Sequence, residues 1–488
     1  MALPEVANVV GQYLRRSNIN TQYLPYFDKI QEFLRWYKGK TQWHTYYQHN
    51  GYKKLRRERM SLNFAKRVCE DFASLIMNEK LNIKCSDPLS QDLIDKVLEG
   101  NKFRVNASQL VELMFALGTG SFVATWDGTG VVIDYIHGDL IFPLNWSNGK
   151  ITECAFATIG GDNKDTAYTV LSYKINEDGT YRVEKAQVDV DGNIVRPGQL
   201  SSALKSDDTD VEIWDTGSRN APFQIIKTNI VNNFDKTSPL GMSIYGNAID
   251  LMKSLDEAFD SLYNEFALGK KRIFIKSGLR AIKFENKEDF DGSWYSQVDV
   301  NDVAFYQIDW AGEHEDKTPI YESNMQLRMQ EHEQGINMIL KMLSQNCGLG
   351  DNFYEFSGTG IARTATEVVS VHSSLFRNVQ KQELVIADAV KGLCRTILEM
   401  YNLYTGTAFD INQEITVDFD DSIIQDSEKE RQNAMNEYNA GLIDQVEYFV
   451  LTRGYTREQA IEFVNQMKMT DTLKETPDIL SSIGGGII

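Results

Sequence analysis

Residues 237–269 read TSPLGMSIYGNAIDLMKSLDEAFDSLYNEFALG, and this stretch decides the fold. From Ile244 onward, Ala248, Leu251, Leu255, Phe259 (or Ala258), Leu262 and Phe266 step by threes and fours, the period of one helix face. At 1.5 Å per residue, about 24 residues make a rod of roughly 36 Å. Gly269 stands where a helix commonly ends. A second rod is predicted from Ser323-Asn324-Met325-Gln326, a capping box in which Ser323 satisfies the amide of Gln326. It continues through Met325, Met329, His332, Ile336, Ile339 and Leu343. Gly335 within it costs about 1 kcal/mol relative to Ala and leaves room for a close neighbour. A third rod opens at Thr364-x-x-Glu367 and runs through Val368, Val371, Leu375, Val379, Ile386, Val390, Leu393, Ile397 and Met400 to Tyr404. Its roughly forty residues would span roughly 60 Å, with Gly392 as a bend. Strand-like Arg272–Ile275 and Val303–Gln307 separate the first two rods. A loop carrying Gly348, Gly350, Gly358 and Gly360 separates the last two.

Upstream, residues 1–110 read as mostly helical, with apolar faces over Tyr26–Tyr37 and Ser61–Asn78. Residues 120–230 switch to period two. Ser121–Trp126, Val131–Ile136 and Ile151–Ile159 read as strands, and Asn176–Gly179 and Asp191–Asn193 as hairpin turns. Downstream come one strand, Ile415–Phe419, and three short helices capped at Ser427, Asp444 and Thr456. Residues 470–488 form a loose terminus. The fold class is α+β, mostly helical.

Composition narrows the function. The chain has 488 residues, 42% hydrophobic and 24% charged, enough to bury a real core. No apolar run approaches the roughly 18 residues that span a membrane, and Val111–Trp126 reads as buried core. The start carries no signal peptide. Cys69, Cys85, Cys154, Cys347 and Cys394 are scattered and never form CxxC, which argues against a disulfide framework and for a reducing cytoplasm. The net charge is −19. Gripping nucleic acid by phosphate neutralisation needs Lys and Arg. Acidity therefore serves either solubility or a surface that touches DNA without adhering to it.

Motifs for chemistry fail on inspection. Gly39-Lys40-Thr41 lacks the glycine a phosphate loop needs five positions earlier, where Leu34 stands, and follows a helix. Gly118-Thr119-Gly120 lies between helix and strand, the reverse of the dinucleotide order, and reads as a tight turn. Asp189, Asp191 and Asn193 miss the calcium-loop glycine, and Leu200 stands where its Glu should be. His332-Glu333 has Ile336 where a zinc protease needs its second His. No catalytic, metal or cofactor residue is assigned. Two basic clusters interrupt the acidity. Lys53–Arg59 follows Trp43, Tyr46, Tyr47 and Tyr52, and serves either nucleic acid or a solvated helix start. Lys270, Lys271 and Arg272 complement the dipole at the end of the first rod.

The order of elements resembles the portal proteins of tailed bacteriophages, in particular those of long-tailed phages of Gram-positive bacteria. The stretches Thr237–Gly246, Gly358–Val368 and Asp420–Met467, with its Gly441-Leu442-Ile443 turn, carry the resemblance. It implies a wing (1–238 with helix 364–404), a stem (239–268 and 323–345), a clip (269–322), a tunnel loop (346–363) and a crown (405–488). It further implies a non-enzymatic ring of twelve copies in the virion, or thirteen when free, made in the host cytoplasm. Double-stranded DNA would pass through it during packaging and ejection. Its partners would be the terminase large subunit, the head–tail connector, the scaffold and the major capsid protein, with no cofactor and no membrane. The tunnel-loop residues would be Asn346, Gly348, Asp351, Asn352, Tyr354, Phe356, Gly358 and Gly360. The basic cluster Lys270–Arg272 would sit in the clip, away from the narrowest point. Twelve copies would carry 12 × −19 = −228 formal charges, a bias that repels the DNA backbone and lets it slide. Another head or adaptor protein, or a nucleotide-dependent packaging enzyme, are the alternatives.

Overall fold

The computed structural model describes residues 6–49, 53–77, 81–160, 168–195, 211–269, 272–276, 305–308, 320–323, 326–351, 353–356, 365–419, 434–453, 455, 457 and 459–465. The N-terminal part is mostly helical, as expected: α1 (Val6–Arg16), α2 (Phe27–Tyr37), α3 (Phe64–Ile76), α4 (Pro88–Gly100) and α5 (Phe103–Leu117). Most of the apolar spacing is used as read, though Leu34, Tyr37 and Leu75 are only half-buried and Trp36 joins the buried face. α2 buries Phe27, Ile30, Phe33 and Trp36, and α3 buries Ala65, Val68, Phe72 and Ile76. Asp87 caps α4 by accepting the amides of Leu89 and Ser90, with Pro88 in the first turn.

Two strands interrupt these helices. β1 (Thr45–His49) and β2 (Lys54–Glu58) form an antiparallel hairpin. The basic run 53–59 is therefore not a helix start. Its side chains alternate across a ribbon exposed on both faces, so no apolar period marks it. β3 (Asn82–Cys85) follows α3.

The strand-rich middle holds β4 (Thr119–Trp126), β5 (Val131–His137), β6 (Ile141–Ser147), β7 (Lys150–Ile159), β8 (Tyr168–Ile175), β9 (Tyr181–Val188), β10 (Glu212–Asp215) and β11 (Phe223–Lys227). They form a five-stranded sheet, β10-β9-β8-β7-β6, and a three-stranded sheet, β11-β4-β5, all antiparallel. Both predicted turns hold, with Gly179 and Gly192 at φ +85° and +73°. Val111 to Ala124, along α5 and β4, is largely buried core.

The stretch that opens the first rod is locked to this core. Gly118 ends α5 at φ +87°, and a Cβ there would lie 2.5 Å from the backbone of Gly241. A Cβ on Gly241 would lie 2.1 Å from the Gly118 carbonyl oxygen, so the two backbones cross where only glycines fit. The Tyr26 hydroxyl donates to the Gly241 carbonyl at 2.9 Å, and the buried Tyr245 hydroxyl donates to that of Phe33 at 2.7 Å.

The rods follow as α6 (Ile249–Leu268), α7 (Met329–Cys347) and α8 (Ala365–Thr405). α6 is shorter than predicted because Gly246–Ala248 winds as a 3-10 turn ahead of it. Between α6 and α7 stand β12 (Arg272–Lys276), β13 (Phe305–Ile308) and β14 (Ile320–Ser323), in the order β13-β12-β14. This corrects the predicted cap: Ser323 ends β14, pairing with Arg272, and α7 starts only at Met329. Among the described residues nothing lies within 4 Å of a Cβ at Gly335, so no close neighbour there explains the glycine. α8 runs 41 residues without a break at Gly392, which instead admits the Gln224 side chain of β11. β15 (Ile415–Asp418) pairs antiparallel with β3, and α9 (Gln445–Arg453) is capped by Asp444, which accepts the Glu447 amide at 2.6 Å. Phe449, Ala460 and Val464 form a separate small core. The predicted caps at Thr364, Ser427 and Thr456 and the terminus 470–488 lie outside the described residues. No helix among the described residues is long and apolar enough to cross a membrane.

Candidate functional site

α7 continues through Cys347, so Asn346 and Cys347 of the predicted loop belong to the helix, and the turn that follows is fixed by backbone chemistry. Gly348 adopts φ +86°, and its amide bonds to the Gln345 carbonyl while that of Leu349 reaches Ser344. This is the paired C-terminal closure that favours glycine, with Leu349 buried beside the last turn as its apolar partner. Asn378 of α8 donates to the Gly348 carbonyl at 2.8 Å, tying the end of α7 to the long helix. Asn346, in the last turn of α7, and Asp351 are exposed. Asp351 accepts from the Gln345 amide at 2.6 Å.

The chain then folds back. The Ser344 hydroxyl accepts the Tyr354 amide at 3.3 Å, and the Asn337 side chain accepts that of Phe356 at 2.6 Å. Tyr354 reaches α3: its ring meets Phe64 edge-on at 4.6 Å, and its hydroxyl donates to Asp71 at 2.7 Å. Burial and then the Asp71 carboxylate push the Tyr354 hydroxyl well above its ordinary pKa, so it remains a donor. Tyr354 is thus an anchor, while Phe356 stays about half exposed. Asn352, Gly358 and Gly360 lie outside the described residues. Sequence reading missed Asp71, Asn337 and Asn378. The one local signal was Arg67, four residues before Asp71 on α3 and paired with it at 3.0 Å.

α6 and α7 are clamped where they approach the small sheet. Arg328 donates from Nε and a terminal nitrogen to both oxygens of Glu265, at 3.1 and 2.8 Å. These bonds hold the Glu265 carboxyl down at about 2, and His332 stands 3.8 Å away. The outward row of α7 is Glu331, Gln334, Met338, Lys341 and Gln345, almost neutral in sum. Of the basic cluster, Arg272 stands in β12, while Lys270 and Lys271 lie outside the described residues.

The other chemical candidates resolve into structure. Gly39 follows the helix α2, so Gly39-Lys40-Thr41 lacks the strand a phosphate loop requires. Among the described residues no three His, Cys, Asp or Glu groups converge as a metal site. All five thiols are free; burial pushes Cys347 up to about 12 and raises Cys69, Cys154 and Cys394 as well. The four buried thiols, Cys69, Cys154, Cys347 and Cys394, are inert core residues.

No curated protein matches the sequence. Among solved structures, the chain is similar to one described as the neck of the native GTA particle computed with C12 symmetry, at 13% identity over 80% of this chain and 89% of that one, TM-score 0.43. It is also similar to one from the virion of the native gene transfer agent (GTA) particle, at 12% identity over 91% and 98%, TM-score 0.41. The family described as phage portal protein, SPP1 Gp6-like, matches residues 17–461, from just after α1 into the small C-terminal core. The chain therefore belongs to the phage portal protein family, SPP1 Gp6-like, and is a virion component.

Proposed function

We propose that this portal chain forms a twelvefold ring at one capsid vertex, through which double-stranded DNA is packaged and ejected. In the same reading the free ring has thirteen copies. The family match across residues 17–461 carries this proposal. In it, residues 239–268 and 323–345 are the stem, carried by α6 and α7. Residues 269–322, with β12, β13 and all of β14 but Ser323, are the clip facing the head–tail connector. Residues 1–238 with 364–404 are the wing, and residues 405–488 the crown inside the capsid. Residues 346–363 are the tunnel loop, fastened at its start through Tyr354. The terminase large subunit docks on the ring and supplies the energy of packaging, and the scaffold and major capsid protein surround it. The protein is made in the host cytoplasm.

The chain itself performs no catalysis in this scheme. The net charge of −19 and the nearly neutral outward row of α7 support sliding over gripping. The low-friction account also requires Lys270–Arg272 to lie in the clip, away from the constriction. An in vitro packaging reaction tests the role. Capsids assembled with the chain are expected to accumulate nuclease-protected DNA when terminase and ATP are supplied. Equal protection in capsids assembled without it would contradict the proposal.

A further inference from the structure

The most unusual surface feature is the hairpin β1–β2. Residues 53–59, KKLRRER, sum to five cations and one anion, a net +4 in a chain of −19, so the remainder carries −23. One face of the ribbon brings together Tyr47, His49, Lys54 and Arg56, and the other carries Tyr46 and Arg57. Both faces are largely solvent-exposed, and no third strand covers either edge among the described residues. An isolated two-stranded ribbon is marginal in water unless something packs on it.

Its base is nevertheless rigid. The buried Asp256 of α6 is bonded to His44 Nε2 at 2.9 Å, and accepts the Ser61 hydroxyl at 3.0 Å and the Leu62 amide at 2.9 Å. Asp260 accepts the Met60 amide at 3.1 Å. The Arg59 guanidinium lies 4.5 Å from the Trp43 ring and 4.4 Å from that of Tyr46. A charged ribbon held this firmly to α6, yet uncovered along its length among the described residues, is preorganised to meet a partner.

We infer that the hairpin β1–β2 is an electrostatic clamp that docks on the acidic surface of a second copy of this chain. This inference rests on the ring proposed above. A head-to-tail interface joins two different patches of one chain, so the +4 segment 53–59 and a −23 remainder are mutually complementary. DNA fits the ribbon less well. One face of each aromatic ring is taken by the hairpin's own cations, Lys54 over Tyr47 at 4.4 Å and Arg59 at Trp43 and Tyr46, which reduces the stacking surface left for bases. The net charge of the whole chain repels a polyanion as well. Two copies at −19 also repel each other, and contact between opposite charges within about 8 Å, the screening distance at physiological salt, offsets this.

The sign of the salt dependence decides between these forces. If the clamp dominates, added NaCl screens it and the wild-type ring dissociates more readily. If net repulsion dominates, salt strengthens the ring, which would overturn the inference. The triple variant K54E/R56E/R57E takes residues 53–59 from +4 to −2. It is expected to lose the ring mass in native mass spectrometry at concentrations where the wild type is fully assembled, and to keep its far-UV circular dichroism. K54R/R56K/R57K, which preserves charge, is expected to keep the ring. A wild type with no ring under any condition would sink the portal assembly and the clamp together. A triple variant whose ring survives as well as the wild type at every salt would sink the clamp alone, whether or not the variant loses affinity for a double-stranded DNA probe.

Discussion

At the scale of single residues, Tyr354 decides how the loop after α7 behaves. Its hydroxyl spans 283 positions of sequence to reach Asp71, and its amide reaches back to Ser344. A hydrogen bond to a carboxylate contributes about 1.5–3 kcal/mol. Tyr354→Phe keeps the ring against Phe64 and removes only that bond. Amide hydrogen exchange at Tyr354 and Phe356 is expected to quicken about ten- to a hundredfold, at 1.4 kcal/mol per factor of ten. Unchanged exchange would mean the loop is not held through this hydroxyl. Little of the anchor was legible in advance. The sequence placed Tyr354 in a glycine-flanked loop, but an Asp on α3 is one of many exposed-looking acids until the fold brings it close. Gly348 was legible, because a glycine just after the last apolar position of a helix is itself a stop signal.

At the scale of elements, the pairing of α6 with α7 carries the testable chemistry. Arg328 holds Glu265 at about 2, below its ordinary 4.5. A depressed carboxylate stabilises the folded state above its unfolded value and loses that contribution as pH falls through the folded one. The stability that wild type holds over Glu265→Gln is therefore expected to be constant above about pH 5. It should shrink steadily as pH drops from 4.5 toward 2. Thermal melts of both proteins across pH 2–7 measure it, and a pH-independent difference would refute the clamp's ionic character. Elements with strong internal period were readable: α8 and α6 from three-and-four spacing, β4, β5 and β7 from alternation. Elements defined by distant partners were not. β3 forms because β15 arrives some 330 residues later, and Ser323 joins a strand because Arg272 lies opposite. The local capping pattern at Ser323 was genuine but weaker than a strand partner. The hairpin β1–β2 escaped because neither of its faces is buried, so no apolar alternation marks it.

At the scale of the whole molecule, the account joins three facts. The chain belongs to the portal family along residues 17–461, its long helices flank a small sheet, and its charge is strongly acidic with one basic ribbon. The order and spacing of the rods carried the family resemblance, more than any one motif. Charge alone did not, since acidity also serves solubility. The most direct measurement is the native mass and particle image of the full chain. A closed ring with a central hole is expected, near 12 × 55.6 kDa = 667 kDa, or one subunit more when free. A stable monomer under all conditions, including co-assembly with capsid protein and scaffold, would contradict the account.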